Sequence, residues 1–517
     1  MTDAGRRRWW ALGAMSLAIL TISLDATVLT LALPTLAGAL KASESELQWF
    51  VTAYTLALAA GMLPAGLLGD RYGRRAVALG ALAVFGAGSI ACAAAPSPGV
   101  FIATRVVVGL AGAALIVMAL SLVTVLFDER ERPRAIGIWS AANFVALPIG
   151  PILGGWILSN AWWGWIFLMN VPVVLLALLA VAALVPESRA PEAPGVDIAG
   201  VLLSCAGLVA LMYGVIEAGQ NGWGGAGALV PVAAGLVVLV AFVLWERRLT
   251  ARSGGQPLID LGLFGSRSFT WGIILTAFGA LGLFGVLFAL PQYLQAIVGL
   301  DAQGAGLRLL PVIAGLVIGA VPADRVAARI GARLTVAAGF AVVVAGMALG
   351  TTMTATSGDA FVALWTSVVG AGAGLGFATA VSAALVELST ERSGVGSALL
   401  QTVVKLGPAF GASILGSVLN STYQGQLQLG NLPAAVAAEA RQSVFDGLAV
   451  AHHLGSAALA SSARTAFVAG MDDAVRVAAA ITVLGAVLAL AFLPGRPAPV
   501  PSQEKQRGVE RDVAAGG

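Results

Sequence analysis

The fold of this chain is constrained most by long apolar runs that follow one another along almost its whole length. A helix that crosses the hydrocarbon core of a bilayer needs about 20 mostly apolar residues, and fourteen runs of roughly that length are found. Only 11% of the residues are charged, whereas soluble domains contain about 25%. The sequence therefore predicts an all-α polytopic membrane protein with fourteen transmembrane helices.

Most connections between the runs are short, but two are long. Pro186–Val196 is rich in proline and charge, and Ser421–Arg464 is rich in Ala, Gln and Ser. For the second we predict short amphipathic helices lying on the membrane surface. The approximate limits of the runs are 11–34, 48–69, 77–95, 99–126, 135–158, 165–185, 197–218, 226–246, 269–292, 304–322, 333–353, 360–386, 394–420 and 467–493.

The orientation of the chain is predicted from its Lys and Arg residues, which are enriched in cytoplasmic loops. If the N-terminus is cytoplasmic, 22 of the 29 fall in the tails and the cytoplasmic connections. An odd number of spans would destroy this asymmetry, so we predict that both termini are cytoplasmic. The other seven are Lys41, Arg105, Arg308, Lys405, Arg441, Arg464 and Arg476.

A faint internal repeat indicates two related halves. Asp-Arg followed by further arginines comes after the second run in LLGDRYGRR and after the tenth in VPADRVAARIGAR. Parallel repeats of this kind build transporters that rock around a central site. We predict a tail at 1–10, a six-helix bundle at 11–185, a linker with two extra spans at 186–268, a second six-helix bundle at 269–493 with an extracytoplasmic loop at 421–466, and a disordered cytoplasmic tail at 494–517.

Asp25 and Arg105 are charged residues that lie inside apolar runs. Asp25 lies in TISLDATVLTLALP with no cation within several residues, and Arg105 lies in FIATRVVVGLAG. A charge at the centre of a span costs about 3 kcal/mol on insertion scales, so such residues mark functional sites by default. The alternatives are a hydrogen bond at a helix interface for Asp25, and for Arg105 a side chain that reaches the membrane surface.

The segment GLLGDRYGRR follows the second run. Asp70 can pair with the arginines that follow it, or face a helix N-terminus, where the helix dipole favours an anion. Gly66 allows close helix approach, Gly73 turns the chain, and the arginines hold the turn at the cytoplasmic surface. The alternative interpretation of this segment is an ordinary basic loop. The basic residues of this segment are Arg71, Arg74 and Arg75.

The segment VALPIGPILGG lies in the fifth run. Pro151 removes a backbone hydrogen bond and kinks a helix. Gly150, Gly154 and Gly155 form a face of small residues that lets another helix approach closely. Simple helix packing is the alternative explanation of this pattern.

Taken together, these segments resemble the major facilitator superfamily. GLLGDRYGRR is similar to its signature G-x-L-x-D-R-x-G-R-R, which implies a cytoplasmic latch that stabilises one state of the rocking cycle. The G-P-x-x-G-G run is similar to the motif of the antiporter members, which export their substrate. Ala146 stands where that motif usually has glycine.

Within that superfamily, LDATVLTLALP resembles the L-D-x-T-V-x-N-x-A-L-P signature of the fourteen-span drug:proton antiporters. Thr30 replaces the usual Asn, and Val108 replaces the Gln of the fourth-span motif R-x-x-Q-G. The resemblance implies that Asp25 and Arg105 couple proton and substrate. YGVIEAGQNGW adds Glu217 at the outer end of the seventh span, where it either lines the mouth of the pathway or is merely solvated.

We therefore predict a proton-driven exporter of lipophilic, often cationic drugs or antibiotics in the inner membrane. A proton-coupled importer and a membrane receptor that transports nothing are the alternatives. No enzymatic activity is predicted, because the cytoplasmic connections hold no nucleophile–base pair, phosphate-binding loop or metal-ligand cluster. The predicted partners are the substrate, protons and the lipid bilayer. We predict a monomer with no cofactor, metal or nucleic acid.

Overall fold

The fold is taken from a computed structural model of the chain. It describes residues 3–42, 44–128, 131–189, 197–251, 258–259, 261–354, 357–386, 393–430 and 432–495. The predicted tail at 494–517 lies almost entirely outside these residues.

The first part of the chain is a bundle of long helices, as predicted. Its apolar runs are found as helices whose ends lie within a few residues of the predicted limits, except that the first is longer at both ends. The sixth run is divided into a single turn and a longer helix. The helices are α1 (Asp3–Leu40), α2 (Glu44–Tyr72), α3 (Arg74–Ala93), α4 (Pro98–Leu126), α5 (Arg132–Asn160), α6 (Trp165–Leu168) and α7 (Asn170–Leu184).

The next two helices, α8 (Ile198–Asn221) and α9 (Ala226–Thr250), form a hairpin beside the bundle. They approach closely, because a Cβ at Gly235 would lie only 2.5 Å from the backbone nitrogen of Leu211. Helix α8 packs against α2, and α9 packs mainly against α8. Apolar side chains of α9 such as Val237 are exposed, as expected for a helix that faces lipid.

The third part is a second bundle, in which the predicted outer loop is largely helical. The expected short helices are found there as α17 (Ala434–Ala440) and α18 (Val444–His453). A 3-10 turn at Leu261–Gly265 precedes this bundle. Its other helices are α10 (Arg267–Ala296), α11 (Ala302–Leu307), α12 (Leu310–Ala320), α13 (Ala323–Ile330), α14 (Ala332–Gly350), α15 (Asp359–Val386), α16 (Ser393–Gln426) and α19 (Ala457–Phe492).

The tenth run differs from its prediction as a single helix. It is divided between α11 and α12, and the axis bends by 42° before α13, just beyond the predicted limit at residue 322. Pro322 lies at this break as the N-cap of α13. Proline lacks a backbone N–H and clashes with the preceding turn, which favours a bend at this position.

Both ends of the described chain lie at one face of the molecule. Arg8 in α1 pairs with Glu131 at the start of α5 (2.6 Å). Arg132 next to it donates to the carbonyl of Leu385 at the end of α15 (3.3 Å). Since α14 and α15 are antiparallel, the start of α14 lies at this face too, and Arg333 there donates to the carbonyl of Leu493 after α19 (2.9 Å). This face is named the predicted cytoplasmic face below.

An even number of membrane crossings follows from this arrangement. In the described residues, twelve helices are long and apolar enough to span a membrane, and thirteen spans result if the bent pair counts as one. Helix α5 has 29 residues, which at 1.5 Å per residue is also long enough to cross the hydrocarbon core. The predicted count of fourteen is consistent with these helices and stays a prediction.

The faint sequence repeat corresponds to a repeated structure. Gly73 before α3 and Gly331 before α14 have φ of 105° and 86°, values that favour glycine over residues with a side chain. Two residues later, Arg75 donates to the carbonyl of Ala182 near the end of α7, and Arg333 does the same to Leu493 after α19. Each bundle is therefore fastened at the predicted cytoplasmic face by a Gly-x-Arg turn.

Candidate functional site

An ion pair joins Asp25 and Arg105, two of the charged residues predicted inside the spans. Nη1 of Arg105 in α4 donates to Oδ2 of Asp25 in α1 at 2.5 Å. Both residues are 0% exposed. The snorkelling alternative for Arg105 is therefore wrong, because its side chain points into the bundle rather than toward the membrane surface.

Three further groups complete the polar cluster. Asn170 in α7 donates through Nδ2 to Oδ1 of Asp25 (3.3 Å), and Nε of Arg105 donates to the carbonyl of Phe50 in α2 (3.2 Å). The Tyr54 ring lies 4.2 Å from Cζ of Arg105, a cation–π distance. Four helices, α1, α2, α4 and α7, therefore meet at one buried pair.

Sequence reasoning missed Tyr54 and Asn170. Asn170 is a polar side chain inside the apolar stretch FLMNVPVVLL, which was the available signal. Tyr54 carried no such signal, because a tyrosine in an apolar run is ordinary. Its hydroxyl donates to the carbonyl of Ile22 (3.4 Å), which fixes its ring beside the pair.

The pair is sensitive to changes in charge. Nη2 of Arg105 is buried without a hydrogen-bond partner among the described residues, so Asp25 supplies the main compensation for its charge. Removing one partner of a buried ion pair typically costs about 3–5 kcal/mol, because the other charge stays buried and uncompensated. Protonation of Asp25 removes the same compensation, so the arrangement can convert binding of a proton into a change in helix packing.

The depth of the pair follows from helix geometry. Arg105 lies seven residues after Pro98, the first residue of α4, and therefore about 10 Å from that helix end at 1.5 Å per residue. Since α4 ends at the predicted cytoplasmic face, it begins at the opposite face. The pair thus lies in the half of the membrane nearer to the predicted outer face.

The predicted antiporter segment in α5 contacts the helix that carries Asp25. A Cβ at Gly150 would overlap the hydroxyl of Thr27 and would lie 2.8 Å from its Cβ. Gly154 is buried, Gly155 is half-buried, and α5 continues through Pro151. Thr27 is two residues from Asp25, so the close approach of α5 occurs beside the ion pair.

The latch segment connects the two bundles through Asp70. Its Oδ1 accepts from Nη2 of Arg74 at 2.6 Å, and its Oδ2 accepts from the backbone N–H of Val395 in the first turn of α16 at 3.1 Å. Both predicted partners of Asp70, an arginine and a helix N-terminus, are therefore present together. Asp70 and Arg74 are buried, so this is not an ordinary solvated loop.

The remaining latch residues shape the turn. Gly66 lies within α2. A Cβ at Gly69 in the same helix would overlap the thioether end of Met118 in α4, which would have to move. The Arg71 guanidinium lies 5.6 Å from the Tyr72 ring. Glu187, which sequence reasoning did not single out, accepts from the backbone nitrogens of Arg75 and Ala76, both at 3.1 Å, and so caps α3 from the connection after α7.

Glu217 lies away from both the Asp25–Arg105 pair and the latch segment. It is half-buried near the end of α8, and its Oε1 would lie 3.4 Å from a Cβ at Gly227 in the first turn of α9. The structure thus places Glu217 at the α8–α9 turn rather than among the described contacts of Asp25. Its two possible roles, a lining group or a solvated one, both stay open.

Two helical bundles that share a turn motif, with charged residues buried inside one of them, define the chain as a membrane transporter rather than an enzyme. The Major Facilitator Superfamily model matches residues 15–412. The chain belongs to the major facilitator superfamily.

Similar proteins agree with this assignment. The chain is 30% identical to the tetracenomycin C resistance and export protein of Streptomyces glaucescens, over 97% of this chain and 96% of that protein. It is 32% identical to the multidrug efflux pump LfrA of Mycolicibacterium smegmatis, over 95% and 97%. The solved structure of the proton:xylose symporter XylE superimposes with a TM-score of 0.61 at 15% identity, covering 95% of this chain and 98% of that one, and so shows the shared fold.

Proposed function

We propose that the protein is a proton-driven antiporter that exports lipophilic, often cationic drugs or antibiotics across the cytoplasmic membrane. The observation that carries the proposal is the fully buried Asp25–Arg105 pair, with 2.5 Å between Oδ2 and Nη1. Relatives over nearly the whole chain are named for resistance and export, which supports efflux. Both termini are proposed to be cytoplasmic, and the protein is proposed to act as a monomer.

The proton step begins at Asp25. A proton that arrives from the nearer, predicted outer face neutralises the carboxylate, and the ion pair with Arg105 is lost. Helix α1 is then held less tightly against α4. Because Thr27 packs against Gly150, a movement of α1 changes the packing of α5 against it. Helix α5 also packs against α11, α12 and α15 of the second bundle. A protonation event can thereby alter the contact between the bundles.

The latch supplies the second element of the cycle. The hydrogen bond from Val395 to Asp70 joins the bundles at the predicted cytoplasmic face. The two bundles must therefore separate at this face before substrate enters from the cytoplasm. Protonation at Asp25 and opening at Asp70 occur in different halves of the membrane. Alternating access rocks one bundle against the other around a fixed site, so a contact at one face can respond to an event nearer the other face.

The proton gradient is sufficient to drive export. Each proton supplies about 1.4 kcal/mol per pH unit and about 2.3 kcal/mol per 100 mV of membrane potential. Both terms drive the export of a neutral substrate. For a monovalent cation exchanged one for one, the voltage term cancels and only the pH term remains.

Import by proton symport is the main alternative. The small-residue segment around Gly150 and Gly154, which resembles the motif of exporting members, favours antiport. A receptor that transports nothing would have no need of a buried ion pair or of a latch between two bundles.

The test measures proton movement when substrate is added to energised inverted vesicles. A susceptibility panel in an efflux-deficient host, including tetracenomycin C, first selects a substrate. We expect Asp25→Asn to abolish proton-coupled drug movement and Asp25→Glu to retain part of it, with normal insertion of both.

The matched control is Asp359→Asn, because Asp359 also pairs with an arginine, Arg308 (2.6 Å), but its side chain is 62% exposed. This variant should exchange protons for drug at nearly the unmodified rate. Exchange by Asp25→Asn at the unmodified rate would show that Asp25 is structural, and Glu217 would be tested next.

A further inference from the structure

A cavity of about 470 Å³ opens at the predicted cytoplasmic face of the first bundle. It lies where α1 and α3 begin and where α4 and α7 end. Three of its lining residues are arginines and the others are almost all aliphatic. The lining is Arg7, Arg8, Arg75, Leu126, Ala182, Ala183, Leu184, Val185 and Pro186.

Two of the three arginines carry charges that no described carboxylate neutralises. Arg7 donates to the carbonyl of Ala183 at 2.7 Å, and Arg75 donates to that of Ala182. In the described part of the chain, neither guanidinium lies within 4.0 Å of an acidic side chain, whereas Arg8 pairs with Glu131. The cavity therefore has a net positive lining.

Capping of α7 does not account for these side chains. A guanidinium has five N–H donors, and each carbonyl contact uses one nitrogen. Nε of Arg8 and Nε of Arg75 are both buried without a hydrogen-bond partner in the described structure. Each guanidinium therefore keeps N–H donors that α7 does not use.

The position of the cavity indicates which acceptor these donors would meet. Leu126 is the last residue of α4 and Leu184 the last of α7, so the arginines lie at the level where lipid headgroups meet the hydrocarbon. The aliphatic wall is suited to the first carbons of acyl chains. A guanidinium binds phosphate through paired, charge-assisted hydrogen bonds, and basic pockets between spans on the cytoplasmic side bind anionic headgroups.

We propose that this cavity binds the phosphate of an anionic membrane phospholipid, through Arg7, Arg8 and Arg75. The site is distinct from the Asp25–Arg105 cluster and does not depend on the proposed direction of transport. Bound lipid would join the ends of α1, α3, α4 and α7. Arg75 directly follows Arg74, the buried partner of Asp70, so the site lies next to the latch.

The experiment uses the full-length protein in nanodiscs, with lipid retention measured by native mass spectrometry. The discs contain phosphatidylcholine alone or with phosphatidylglycerol. The variant is Arg7→Gln/Arg8→Gln, which leaves the latch arginine in place. The control is Arg247→Gln/Arg248→Gln, which removes the same charge from two exposed residues at the same face.

We expect selective retention of phosphatidylglycerol by the unmodified protein and the control, and a loss of about tenfold or more in the variant, since each charge-assisted hydrogen bond contributes about 1.5–3 kcal/mol. Equal retention in all three proteins would overturn the proposal. A parallel arm titrates inorganic phosphate against the unmodified protein in the discs that contain phosphatidylglycerol. Displacement of phosphatidylglycerol by millimolar phosphate would assign the site to a soluble anion instead.

A second variant distinguishes a loss of lipid binding from misfolding. Arg7→Lys/Arg8→Lys keeps the charge but loses the planar geometry suited to phosphate, and should retain an intermediate amount of lipid. If the unmodified protein shows no preference for phosphatidylglycerol over phosphatidylcholine, the proposal fails whatever the variants do.

Discussion

Asp70 at the end of α2 and Val395 in the first turn of α16 are 325 residues apart in the chain and are joined by a 3.1 Å hydrogen bond. The same carboxylate binds Arg74. One buried side chain thus completes a helix N-terminus in the second bundle while it neutralises an arginine of the first. A change of its charge alone should act on the contact between the bundles.

We predict that Asp70→Asn strongly reduces transport while drug binding persists. Asparagine has nearly the same volume and an acceptor oxygen, but it does not neutralise Arg74. Equilibrium drug binding and vesicle transport are measured on the same preparation. Asp128→Asn is the control, since its side chain is 89% exposed at the same face. Parallel losses of binding and transport would indicate misfolding rather than a latch defect.

We predict that the Asp25–Arg105 pair shows strong energetic coupling in a double-mutant cycle. Asp25→Asn or Arg105→Gln alone should lower the free energy of unfolding by about 3–5 kcal/mol, because each leaves a buried partner uncompensated. The double variant should lose less than the sum of the two. Reversible unfolding in mixed micelles gives the three values.

The exposed pair Arg308–Asp359 provides the comparison for that cycle. Its side chains are 32% and 62% exposed, and pairs of that kind contribute about 1 kcal/mol or less. Equal coupling in the two cycles would mean that burial does not strengthen the Asp25–Arg105 pair.

The helices could be predicted from the sequence because membrane spans depend on local composition. The limits of α4 differ from those predicted by one residue at most. The break between α11 and α12, inside the tenth run, was missed because a hydropathy pattern does not register backbone geometry. Both facts follow from the same cause, since hydropathy reports burial in lipid and not backbone geometry.

The candidate site was predictable only in part. Asp25 and Arg105 were conspicuous as charges in apolar runs, but their pairing depends on the packing of α1 against α4, and 80 residues separate them. Glu187 was not singled out, because an acid in a polar connection carries no signal until the fold places it at the start of α3. Sequence therefore identified unusual residues, and only the tertiary structure showed their partners.

We predict that an impermeant thiol reagent labels Gln424→Cys but not Tyr72→Cys in intact cells. Tyr72 is 60% exposed at the predicted cytoplasmic face, and Gln424 is exposed near the other end of α16. Arg74 in the same turn is buried and would resist labelling from either side. Permeabilised cells, in which both positions should react, supply the control, and the background protein lacks Cys92 and Cys205.

The opposite labelling pattern would invert the assigned orientation. In that case the latch would face outward and the cavity at Arg7 would lie in the outer leaflet. The even number of crossings would be unaffected, because it rests on contacts within the molecule.

The last prediction concerns the packing of α5 against α1. A methyl group at Gly150 would overlap the Thr27 hydroxyl, and the two Cβ atoms would be 2.8 Å apart. Inserting one carbon into such a contact typically costs about 1–3 kcal/mol. We predict that Gly150→Ala lowers the free energy of unfolding by that amount. It should also reduce transport, because the added methyl group pushes α1 and α5 apart.

The control is Gly13→Ala in α1, where an added Cβ meets no atom within 4 Å; there alanine should be neutral or stabilise the helix by up to about 1 kcal/mol. Thr27→Ala should partly rescue Gly150→Ala, because it removes the overlapping hydroxyl but leaves the Cβ atom. Stability and transport are measured for all four proteins. If Gly150→Ala transports drug as well as Gly13→Ala at equal expression, close approach of α5 to the Asp25 helix is not needed for the transport cycle.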